Sequence, residues 1–219
     1  LVAAALIGDR LAVVLAWISS TDADASVISW ARDLLQSSSG PTLLFWDVRA
    51  DADALYHQLD ITVDGERVRD VQLINALVTR ARLPPSNQSR HRIGIDAALG
   101  DMHMHSTVAR GTLSGVLGNK MNAKRVLAVH ARSLFGNKSM WYDIWGERDN
   151  LPREARAYAV FDVVAILYMT FELAAEGVIS HKHWLRIVAK SNTDTCSRRS
   201  CATVSDRPDT QLPTWRKWK

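Results

Sequence analysis

The run Thr42-Leu43-Leu44-Phe45-Trp46-Asp47-Val48 is almost continuously apolar over the length of one strand. A strand that is apolar on both faces has to be covered on both, which calls for helices above and below it. The segments that follow supply such partners. Residues 51–59 ("DADALYHQL") predict a short helix and 67–71 ("RVRDV") a second strand. Residues 72–82 ("QLINALVTRAR") predict a helix stopped by Pro84-Pro85. Strands alternating with helices point to a layered α/β domain.

Upstream, two runs rich in Val, Leu and Ala flank Gly8-Asp9, a pair suited to a tight turn, so residues 1–20 predict a β-hairpin. Asp9 and Arg10 split this apolar opening into pieces too short to span a bilayer. Thr21 or Asp22 offers an N-cap for a helix at 25–36, where Val27, Ile28, Trp30, Ala31, Leu34 and Leu35 fall at helical spacing. Residues 83–138 have weak periodicity and suggest two short helices. Pro152 opens a helix of about 25 residues that Gly177 ends, and 180–191 predict another. From Ser191 the chain is polar and basic, read as a tail over 191–219.

Of 219 residues, 47% are hydrophobic, ordinary for a folded domain. Cys196 and Cys201 are too few for a disulfide framework and predict reduced thiols in an intracellular protein, nuclear or cytoplasmic. The net charge of +4 is uneven: residues 1–70 balance at −6 and residues 71–219 at +10. An acidic half beside a basic half fits a cation site next to a polyanion track, and it also fits charges spread over a solvated surface. No membrane partner is expected.

The residues able to carry chemistry are carboxylates. Tyr158 and Asp162 are four apart on the long helix, hence on one face. Asp162 stands among Phe161, Val163, Val164 and Ile166, a costly setting unless it pairs with an Arg, lies at the rim or binds a cation. Asp51 and Asp53 fall at a predicted helix start, where a carboxylate also serves as a cap.

Residues 45–73, "FWDVRADADALYHQLDITVDGERVRDVQL", resemble the second motif and following strand of the DEDDy-type 3′–5′ exonuclease-domain proteins of fungi and animals related to ribonuclease D. "AYAVFDVVAILYM" resembles their third motif, Tyr-x-x-x-Asp-Val. The likeness covers roughly residues 1–190 and is most specific over 43–80. It implies a ribonuclease H-like fold, a mixed sheet flanked by helices. It further implies 3′–5′ hydrolysis of single-stranded RNA or DNA, RNA favoured, by two Mg²⁺ or Mn²⁺ ions. Carried over by position, Asp51 and Asp162 would be metal ligands and Tyr158 would orient or help deprotonate the attacking water. Asp70 would be structural or would support the ligands rather than hold metal itself.

The chain departs from that pattern in two places. The family's first motif, Asp-x-Glu on the first strand, has no counterpart in position; Asp64-Gly65-Glu66 follows the second motif and reads as a turn. Residues 1–190 are thus expected to be an N-terminally incomplete exonuclease-like domain lacking its first strand, with an incomplete two-ion site. "WGERDNLPREA" replaces the usual Arg-Pro-Leu, leaving Arg148 an uncertain phosphate contact. The rival expectation is a binding module for nucleic acid or protein that does not cleave.

Weaker signals are set aside. His103 with His105, and His181 with His183, lack a third ligand at metal spacing. Lys138, Trp141, Tyr142 and Trp145 suit base stacking or a core. Arg80, Arg82, Arg90 and Arg92 suit phosphate contacts or a solvated loop.

Overall fold

The computed structural model describes residues 2–7, 10–15, 25–82, 93–105, 110–138, 152–175, 177 and 179–196. It divides into two compact units. The first comprises Leu1–Trp17 and Ile95–Tyr168, the second Ile18–Gly94 and Met169–Lys219.

In the first unit, β1 (Val2–Ile7) and β2 (Arg10–Leu15) pair antiparallel with Ile7 opposite Arg10, the hairpin expected around Gly8-Asp9. Helices α4 (Ile95–His105) and α5 (Arg110–Phe135) pack together. At 26 residues α5 is far longer than the short helix anticipated. Its Ala123, Leu127 and Ala131 close on Ala155 and Tyr158 of α6 (Arg153–Ala175). The Pro152 carbonyl accepts the first amides of α6, from Ala155 at 3.0 Å and Arg156 at 3.3 Å. Gly177, with φ 64, ends that helix in a left-handed turn that glycine adopts without strain and most other residue types do not. By length and composition α6 could cross a membrane, with a mean hydropathy of 1.6. Apolar core helices meet the same measure.

The second unit holds α1 (Ala25–Gln36), β3 (Leu43–Phe45), α2 (Val48–Leu59), β4 (Val68–Asp70), α3 (Val71–Arg82) and α7 (His181–Cys196). β3 and β4 are parallel, with Phe45 opposite Asp70, and α2 is the crossover between them. Buried Val48, Ala52 and Leu55 of α2, Val68 and Val71 around β4, and Ile187 of α7 contribute to its core. α7 packs on both α2 and β4. Gly65 makes that approach possible: a Cβ there would lie 2.9 Å from the Asn192 backbone Cα.

Three boundaries differ from the sequence reading. The apolar run yields only a three-residue strand, because the chain turns at Asp47 and is helical from Val48 rather than from residue 51. α7 continues to Cys196 instead of giving way to a tail at Ser191; Ser191, Asp194 and Thr195 are buried on its inner face. Among the described residues the strands form two separate two-stranded sheets, one antiparallel and one parallel.

Candidate functional site

After β3 the backbone passes through Asp47 in a left-handed conformation, φ 60 and ψ 70. Such a conformation is tolerated by Asp but costs energy unless its surroundings hold it. Two contacts do so. The Asp47 amide donates to Asp70 Oδ1 at 3.1 Å. The Asp47 carboxylate accepts a two-pronged bond from Arg49, with Nε to Oδ1 at 2.6 Å and Nη2 to Oδ2 at 2.7 Å. A planar guanidinium fits a carboxylate in this way, with direction as well as charge.

Arg49 is 3% exposed. Burial alone would lower its pKa; the bond to Asp47 and the nearby carboxylates of Asp47, Asp194 and Asp70 more than offset it and leave the guanidinium above its usual value. Asp194, three per cent exposed, also pairs with Lys190 one turn earlier on α7.

Asp70 is fully buried. Besides the Asp47 amide, its Oδ1 accepts the Gln72 amide at 3.0 Å, so it caps α3. Its own amide donates to Ser191 Oγ at 3.0 Å, tying β4 to α7. Gln72 Nε2 and Trp46 Nε1 both donate to the Ile93 carbonyl, at 2.8 and 3.2 Å. These bonds give Asp70 the structural part read for it from sequence.

Asp51 lies on the first turn of α2 and is exposed, and among the described residues it has no hydrogen bond. Protein nevertheless crowds around its carboxyl. That crowding first, and then the carboxylates of Asp47 and Asp70, raise its pKa from 3.8 to about 6. Because the helix starts at Val48, neither Asp51 nor Asp53 is its N-cap residue; Asp47 holds that position, without a side-chain cap bond. Asp53 is buried and faces His57 one turn on, at 3.7 Å.

Tyr158 and Asp162 share one face of α6, as their spacing requires. Tyr158 is buried in the cluster with α5, and Asp162 is half-buried. Asp162 continues the buried line Ala155, Tyr158, Ala165, Met169, Leu173 at helical intervals. These two residues belong to the first unit and Asp51 to the second.

Oxygen donors such as Asp51 suit Mg²⁺ or Mn²⁺. Its neighbours do not complete a site, since the Asp47 oxygens hold Arg49 and Asp70 Oδ1 holds two amides. Among the described residues no three His, Cys, Asp or Glu side chains gather as a metal site. The described residues of the second unit thus fall short of holding two ions.

Reasoning from sequence missed Arg49, Ser191 and Asp194. The spacing Trp184, Ile187, Ser191, Asp194 is helical and would have carried α7 further, but its last members are polar. Trp141, Tyr142, Trp145, Arg90, Arg92, Arg148 and Cys201 lie outside the described residues. No protein family, curated protein or solved structure matches the chain.

Proposed function

We propose that the chain is a 3′–5′ exonuclease-type domain acting on single-stranded nucleic acid, RNA in preference to DNA. In this reading it has a ribonuclease H-like core and works inside the cell without a membrane partner. Asp51, Asp162 and Tyr158 are its site residues. The observation that carries this reading is the order β3, Asp47, α2, β4. It sets one exposed carboxylate, Asp51, on the first turn of the crossover helix, where the resemblance puts a motif-two ligand. The crowding that raises Asp51 is a cost that a bound cation would relieve.

A second reading, a module that binds strands without cutting them, draws on the engagement of Asp47 and Asp70 in structural bonds. One experiment separates the two. A 5′-labelled single strand is incubated with the chain and Mn²⁺, beside Asp51→Asn and Asp162→Ala. Stepwise shortening from the 3′ end, lost in both variants, is expected of the exonuclease. An intact strand that remains bound identifies the second reading. Neither cleavage nor binding overturns both.

A further inference from the structure

Between Asp101 and Asp143 the sequence has no acidic residue and six Lys or Arg, the longest acid-free stretch in the chain. α5 occupies most of it. The helix buries Ala123, Leu127 and Ala131 against α6. Its 3.6-residue repeat turns Met121, Arg125, Val129 and Arg132 the opposite way. Met121 is 50% and Val129 63% exposed, and both arginines are exposed. α5 therefore shows larger apolar groups to solvent than the alanines it buries, interleaved with cations.

Among the described residues the two arginines are not neutralised from within. Lys124 has Asp96 of α4 at 3.7 Å. Arg125 donates to the neutral Asn122, at 3.3 Å, and among the described residues neither Arg125 nor Arg132 has a salt bridge. A hollow of about 350 Å³ on this side is lined by Arg125, Val126, Val129, His130 and Ser133.

The partner that fits is a polyanion bringing apolar surface of its own. A bilayer favours helices whose apolar and basic residues lie on separate faces, whereas on α5 the two kinds alternate along one face. A single strand alternates in the same way, phosphate with base. We propose that the outer face of α5, through Arg125 and Arg132, docks single-stranded nucleic acid. The proposal rests on the reading above that the chain acts on such strands. Seven residues separate the two arginines, about 10 Å along the helix axis. Each neutralises a phosphate, and Met121, Val129 and the hollow receive bases.

The test is the affinity of the whole chain for a labelled oligouridylate across a salt series. Arg125→Glu/Arg132→Glu is compared with Arg153→Glu/Lys182→Glu, an equal charge change at exposed positions elsewhere. Circular dichroism verifies that each variant is folded. The first variant is expected to bind at least about tenfold more weakly. Its slope of log affinity against log salt should fall by about 1.4, at about 0.7 per lost contact to a single strand. The second should match the unaltered chain.

Equal weakening in both variants would reduce the effect to diffuse charge and overturn the proposal. Unchanged binding by the first variant would overturn it while leaving the nucleic-acid reading intact. An unaltered chain that binds no strand removes both. Capture on phosphatidylserine vesicles through Arg125 and Arg132, with no strand bound, would assign the face to lipid and overturn the proposal.

Discussion

In the second unit the residues withdrawn from solvent include Arg49, Arg67, Asp70, Gln72, Ser191 and Asp194. In the first, the buried cluster at α5 and α6 is Ala123, Leu127, Ala131, Ala155 and Tyr158. Apolar packing has no preferred direction, so it holds helices together without fixing any one polar atom. Buried polar groups stabilise only when each meets a partner at the right angle, and they therefore position the backbone. Arg67 shows how: its guanidinium donates to the carbonyls of Leu34 at 2.6 Å, Pro41 at 3.1 Å and Ser37, closing the end of α1. The exposed residue Asp51 stands in the unit built this way.

The largest effect should come from breaking the polar side. Arg49→Ala leaves the Asp47 carboxylate beside Asp51 and Asp70 without its fork, and should cost about 3 to 4 kcal/mol. Urea unfolding measures the loss, and amide exchange by mass spectrometry locates it. Faster exchange confined to 25–82 and 179–196 is expected. An equal rise over 110–138 would mean that the two regions are not held separately.

The apolar counterpart is Leu127→Ala, at a site with no exposure, expected to cost about 2 to 3 kcal/mol. Here exchange should quicken over 110–138 and 152–168, leaving 43–75 as it was. A loss well under 1 kcal/mol would show that α5 is loosely seated.

The smallest effect concerns pH. With its pKa raised from 3.8 to about 6, Asp51 binds a proton more readily when folded than when unfolded. Its contribution therefore favours the folded state at low pH and is lost as pH rises from about 4 to about 6. Asp51→Asn removes that loss. The variant should gain in melting temperature relative to the unaltered chain on going from about pH 4 to about pH 7. Because the carboxyl is exposed, the gain should stay under ~1 kcal/mol. A gain that is the same at both pH values would remove the crowding argument for Asp51.

Much of the local structure was legible. α1 occupies residues 25–36 as its apolar spacing implied, while Thr21 and Asp22 lie outside the described residues, and the hairpin and α6 lie where turn and stop residues placed them. What escaped depends on contacts distant in sequence. Val48 ends an apolar run and reads as strand, yet the chain turns at Asp47 because Arg49 and Asp70 hold it there. Ser191, Asp194 and Thr195 read as tail because hydrophobic periodicity cannot reveal a polar face buried for its hydrogen bonds. α5 contains Gly111, Gly115 and Gly118, which lower helix propensity enough to hide its length. Of the candidate site, the pairing of Tyr158 with Asp162 follows from helical spacing alone, whereas the surroundings of Asp51 do not.

The bond between the Asp70 amide and Ser191 has a bearing on how the protein is made. The partners are 121 residues apart. A chain leaving the ribosome exposes β3, α2 and β4 long before α7 exists, and until then the Asp70 amide must be satisfied by water. The parallel pair thus waits on α7 for its final contact, and the second unit closes only after residue 191 has emerged. Such a delay leaves two short strand edges open to the wrong partners, and the time to guard them is before residue 191 emerges.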